Sequence, residues 1–231
     1  MPDQPKEGIY EAMREAIYGL EPLYIEFIRL LPDGVVFGTM LLTLLSMCKS
    51  YGMLLLAMVE LMLIQRVFAS AVGGISPMGA GQNVNASICQ PGFTFPNTMR
   101  ISLLETIGKP SLFPSPTVYF VAGIITYMIG SIQEFKREIT VLGGDLGVRT
   151  TVAIVLSSLF MFVVFAFRHS YGCESFGTLL ISILLGAITG GIIMYQNKLL
   201  FGRDSINLMN LPMIVSAAEM GKPMFVCAPS Q

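Results

Sequence analysis

The chain has 231 residues, 53% of them hydrophobic and only 13% charged, with a mean hydropathy of +0.68. A soluble domain carries about a quarter charged residues, so half that level points to a large surface facing lipid or buried between helices. A balance of 14 Lys and Arg against 15 Asp and Glu, net -1, excludes both the basic excess of a nucleic-acid binder and an acidic solvating tail.

The opening MPDQPKEGIYEAMREAIYGL lacks the basic start, apolar run and small-residue cleavage site of a secretory signal, so insertion is expected to rely on an internal span. From Ile9 to Leu31, apolar residues recur near the helical period at Ile9, Met13, Ile17, Leu20, Tyr24, Phe27 or Ile28, and Leu31, with Glu7, Glu11, Arg14, Glu15, Glu26 and Arg29 on other faces. Residues 1–33 therefore read as an amphipathic helix, ending near Pro32-Asp33-Gly34, that lies in the lipid interface or docks a partner. Residues 34–72 form a first membrane segment, either a hairpin turning at Lys49-Ser50-Tyr51-Gly52 or one long crossing. Fifteen residues between Asp33 and Lys49 reach about 22 Å, short of the hydrocarbon core, so length favours one crossing.

Residues 73–116 shift abruptly to a Gly-, Pro-, Asn- and Ser-rich extramembrane loop, within which Thr98 to Ile107 could form a short helix capped by Asn97. Three further spans occupy 117–196: about Thr117 to Gln133, Thr150 to Phe167, and Ser175 to Gln196. The last lies within an uncharged run of 23 residues, 175–197. The tight connection Arg168 to Glu174 forces the last two spans antiparallel. The tail, 197–231, has apolar patches but no spanning length. The expected fold is an all-α polytopic bundle of four, or five, transmembrane helices with an amphipathic N-terminal helix. With four crossings, nine basic residues collect on one side and four on the other, placing both termini on the same, cytoplasmic, side. With five, the split is seven to seven.

Small residues repeat four apart at Ala122, Thr126 and Gly130 and at Ser182, Gly186 and Gly190. Such stripes let backbones approach where lipid offers no hydrophobic drive, so both faces are expected at helix interfaces, within the chain or between copies. Glu60 is the costliest residue: a membrane carboxylate is a default candidate for an ion or proton site, or a neutral, hydrogen-bonded or snorkelling group that pins helix contacts. It has no acidic or His partner within a turn, and the membrane segments show no second carboxylate and no inverted repeat, which counts against a transporter.

Cys48, Cys89, Cys173 and Cys227 lie far apart without a CxxC pair, and the single histidine is His169, so no zinc site, other metal or cofactor is expected. Cys89 and Cys173 fall on one non-cytoplasmic side in the four-crossing arrangement, where a disulfide is chemically allowed. Asn85-Ala86-Ser87 is a weak glycosylation sequon on that side. The run Arg168-His169-Ser170-Tyr171-Gly172-Cys173-Glu174 holds hydrolase-type residues, but neighbours in a tight turn project apart, and no enzyme is expected.

The acidic N-terminal helix, the RHSYGCESFG turn leading into the Gly-striped last span, and the FGRDSINLMNLP tail together resemble small multi-pass proteins of large icosahedral double-stranded DNA viruses, particularly the algal-virus group. The resemblance covers mainly residues 165–215. It implies a minor capsid or inner-membrane protein in the virion's internal membrane, tethering the capsid shell to the bilayer, with lipid and other membrane or capsid proteins as partners and homo-oligomers allowed. No nucleic-acid contact and no catalytic residues carry over. The alternative is a small oligomeric transporter or channel using Glu60.

Overall fold

The computed structural model describes residues 6–72, 86–89, 91–94, 100–103, 113–136 and 144–209. In chain order these form α1 (Lys6–Ser46), α2 (Lys49–Val72), the single turn α3 (Ala86–Cys89), β1 (Phe93–Thr94), β2 (Arg100–Ile101), α4 (Pro116–Glu134), α5 (Gly144–Ser170), α6 (Phe176–Phe201) and a 3-10 turn, Arg203–Ile206. The protein is an all-α bundle. Its described β-structure is one antiparallel ladder with Phe93 opposite Ile101 and Thr94 opposite Arg100. Among the described residues, five stretches are long and apolar enough to cross a membrane: Gly19–Ser46, Lys49–Val72, Pro116–Glu134, Thr150–Ser170 and Phe176–Phe201. They are compatible with an integral multi-pass membrane protein.

The count of five follows from α1, which does not stop at Pro32-Asp33-Gly34 but continues through Pro22 and Pro32 to Ser46. A helix that ended inside lipid would leave its last carbonyls without partners. Continuing past a proline forfeits fewer hydrogen bonds, which is why membrane helices tolerate Pro. Hydroxyls in these helices turn inward on their own backbone: Thr39 donates to the Val35 carbonyl and Thr43 to that of Thr39, each at 2.8 Å. Their polarity is thus satisfied without water.

Residues 34–72 are accordingly not one crossing. The break falls at Met47-Cys48, where Met47 adopts the left-handed conformation (φ 48°) and its N–H donates to the Thr43 carbonyl at 3.0 Å. This two-residue connection makes α1 and α2 an antiparallel hairpin, in which a methyl on Gly52 would lie 3.6 Å from Thr43 Cγ2.

Local signals set the other boundaries. Pro116 opens α4 where its missing N–H costs nothing. Ser175 caps α6, its Oγ accepting from the Thr178 N–H at 3.3 Å. Gly172 (φ 67°) closes α5: its N–H donates to the His169 carbonyl and the Cys173 N–H to that of Arg168, the paired bonds of a Schellman motif.

The α4–α6 pair is the most extensive, and α4 is the most enclosed, with 61% of its apolar window buried against 11% for α5. Leu54, Ala57, Met58, Leu61 and Met62 of α2 pack on Tyr119, Phe120, Ile124 and Tyr127 of α4 and Ile193 of α6. Ile28, Val118, Val164, Phe167 and Leu179 form a second cluster at the end where α5 turns into α6. There Tyr171 donates to Glu21 at 2.8 Å, and that bond to a carboxylate pushes the phenol above its ordinary pKa.

At the opposite end, Lys49 Nζ donates to the Phe201 carbonyl at 3.2 Å and Ser50 Oγ to that of Asp204 at 3.1 Å. Glu134 receives Lys198 at 2.8 Å and Arg203 at 3.1 Å. The segment expected to be tail from residue 197 is therefore partly bundle: α6 runs to Phe201, and Ser205 and Ile206 are buried.

Candidate functional site

Two polar constellations stand out within the apolar bundle. The first is a buried knot where α5 meets α6. Arg168 donates from Nε to Glu174 Oε2 at 2.7 Å and from Nη2 to Oε1, while Nη1 reaches the Cys89 carbonyl at 3.2 Å and Thr117 Oγ1 at 3.3 Å. Ser115 Oγ donates to Glu174 Oε1 at 2.9 Å, and the Ser115 N–H donates to Ser182 Oγ at 2.8 Å. Both charges are nearly sealed, with side chains 7% and 4% exposed, so the fork-to-fork pairing and the surrounding donors are what make burial tolerable.

A disulfide joins Cys89 to Cys173 across 84 residues, with Cα atoms 5.4 Å apart. Because Arg168 also holds the Cys89 carbonyl, the loop segment at α3 is fastened to the α5–α6 turn both covalently and by charge. Gln65 adds a third point, donating to the Pro114 carbonyl at 3.3 Å. In this turn Glu174 is therefore an ion-pair partner, Cys173 is a disulfide sulfur, and His169 lies among the rings of Phe165 and Phe176. Asn85 of the sequon lies outside the described residues; of the expected helix Thr98 to Ile107 only 100–103 is described, and there Arg100–Ile101 is extended and pairs with Phe93–Thr94 instead of forming helix.

The small-residue stripes meet each other. α4 and α6 run parallel with a constant offset of 67 residues, pairing Ser115 with Ser182, Tyr119 with Gly186, and Gly123 with Gly190. A methyl on Gly186 would lie 2.3 Å from the Tyr119 carbonyl oxygen, and one on Gly190 would lie 2.1 Å from that of Gly123. Ala122, Thr126 and Gly130 lie on the same side of α4. A methyl on Gly186 would lie 3.1 Å from Ala122 Cβ, one on Gly191 3.9 Å from Thr126 Cγ2, and one on Gly130 2.7 Å from Met194 Cε. The interface is thus within the chain. Its tightest row on α4 is Tyr119–Gly123, which the sequence pattern did not mark because a backbone carbonyl, not a small side chain, fills the contact.

The second is a set of buried polar groups on α1, α2, α4 and α6, among them Glu60, halfway along α2. Its Oε2 is buried and accepts no hydrogen bond. Tyr127 of α4 is a fully buried side chain. Asn197 of α6, also fully buried, donates from Nδ2 to Tyr127 Oη at 3.3 Å, while its Oδ1 accepts no bond. The continuation of α1 supplies a second membrane carboxylate, the buried Asp33. Carried along from Thr43 and Gly52, the hairpin register sets Asp33 at the level of Met62, about 3 Å in depth from Glu60.

Among the described residues no group of three His, Cys, Asp or Glu could hold a metal ion. Comparison with protein-family models, with characterised proteins and with solved structures finds no match for the chain.

Proposed function

We propose that this protein is a structural membrane anchor, a rigid bundle that fixes an extramembrane loop at the bilayer surface for a partner to grip. The observation that carries the reading is the double fastening of the α3 segment, by the Cys89–Cys173 disulfide and by Arg168 on the Cys89 carbonyl. A transporter needs elements that move against each other, whereas the glycine-seated α4–α6 pair and this knot oppose such movement. The partners in this reading are lipid, neighbouring membrane or shell proteins, and further copies of the chain around the little-buried α5.

The finer form of the reading follows the RHSYGCESFG and FGRDSINLMNLP phrases: a minor capsid protein in the internal membrane of a large icosahedral DNA virus, tethering shell to bilayer. Five crossings then set the start of α1 and the end of α6 on opposite faces, in place of the same-side termini of a four-crossing chain. Gentle detergent extraction from the native source, followed by native mass spectrometry, tests the anchor. Retention with stoichiometric partners in a large lattice is expected, and release as a small self-contained oligomer would overturn it.

A further inference from the structure

We propose that Arg66 heads a binding site for an acidic phospholipid, on the membrane face where the disulfide fastens α3. This goes beyond anchoring and rests only on the path of the helices through the bilayer. Gln65 Nε2 donates to the Pro114 carbonyl at 3.3 Å, which sets this turn of α2 level with the start of α4 at Pro116. Ser115 donates to Glu174, the residue before the Ser175 cap, so α6 starts at the same depth. Where two spans begin together is the edge of the hydrocarbon, the level at which basic side chains meet lipid phosphates. From there α2 rises through Val67–Val72, about 9 Å further.

The ion pairs among the described residues engage Arg29, Arg168, Lys198 and Arg203. Arg66 is exposed and has no described carboxylate within ion-pair reach, so its charge calls for an anion from outside the bundle. It stands in an open cleft of about 720 Å³ whose described lining is Leu63, Arg66, Val67, Ser70 and Ala71. Ser70 Oγ donates to the Arg66 carbonyl at 2.8 Å, which leaves the guanidinium as the cleft's donor. Its planar fork matches two phosphate oxygens. An ammonium headgroup would find no carboxylate and no ring in this lining, so the fit is to a lipid whose headgroup carries negative charge alone. Toward the membrane interior, Leu63 (47% exposed) and Leu56 (39% exposed) lie two turns apart on one face, a track for an acyl chain that a free phosphate does not have.

Native mass spectrometry of the full chain in mild detergent, with phosphatidylglycerol and phosphatidylcholine of matched chains, tests the site. The expected result is one retained phosphatidylglycerol, preferred by about fivefold, the worth of one basic residue at an anionic lipid surface. Arg66→Gln should abolish the preference and Arg66→Lys should keep most of it. Lys49→Gln, which removes a charge at the opposite face, should leave it intact. Equal retention of the two lipids overturns the proposal, as does an equal loss in Arg66→Gln and Lys49→Gln. Displacement of the lipid by inorganic phosphate also overturns it, since the free anion would then suffice. Where Arg66→Gln fails to assemble, a photoactivatable phosphatidylglycerol on the parent chain gives the reading: label within residues 63–71 is expected, and label confined to other segments contradicts the site. None of these results bears on partner retention, so the anchor reading stands or falls separately.

Discussion

Gly190 lies so close to Gly123 that a methyl group on it would sit 2.1 Å from the Gly123 carbonyl oxygen. The obstacle is backbone, which no rotamer change can clear, so α4 and α6 must part. Gly190→Ala is expected to destabilise the bundle by about 1–3 kcal/mol, the usual range for overpacking. Its neighbour is the control: a methyl on Gly191 would meet only Thr126 Cγ2, at 3.9 Å. Gly191→Ala should leave the detergent melting temperature within error, and equal melting temperatures for the two variants would count against the α4–α6 register.

Arg168 and Glu174 are each other's main charge partner in a buried site. Removing one strands the other, which typically costs 3–5 kcal/mol, about what the double replacement recovers. Arg168→Met alone should lower thermal stability sharply, while Arg168→Met with Glu174→Leu should regain most of it. Additive losses in that double-mutant cycle would show that the two act separately.

The Cys89–Cys173 link closes a long loop, so its loss should cost about 2–4 kcal/mol. The paired Cys89→Ser, Cys173→Ser variant is expected to melt lower and to expose residues near α3 to protease, because the covalent link of that segment to the α5–α6 turn is then gone. A protease pattern identical to the parent would remove the fastening on which the anchor reading depends.

Met47 takes a left-handed backbone with an exposed side chain, a conformation that costs an L-residue roughly 1–2 kcal/mol. Met47→Gly should therefore stabilise the α1–α2 hairpin, seen as a rise in melting temperature. A fall would argue against this turn.

What could be read from residues alone tracked where water and lipid impose the same rule. The stripe Ser182, Gly186 and Gly190 announces a helix contact because small side chains matter equally in both solvents. The turn at Arg168 to Glu174 was visible for a similar reason, since glycine and charge close a helix in either setting. Pro32-Asp33-Gly34 misled because helix-stop signals presume water to receive the freed carbonyls, and in lipid the helix runs on. That extension hid the fifth span and left Asp33 out of the membrane. Tyr127 and Asn197 looked like ordinary members of apolar helices, and only the parallel packing of α4 on α6 brings them together.

The claim that organises the rest is the five-helix path, and it is tested most directly by the sidedness of its two ends. No described cysteine is free, so a thiol introduced as Gly19→Cys or Phe201→Cys is the reactive group in sealed vesicles. A membrane-impermeant maleimide should label one variant from outside and the other only after the vesicles are opened. Labelling of both from the same side would mean an even number of crossings and would contradict the path of α1 and α2 through the bilayer.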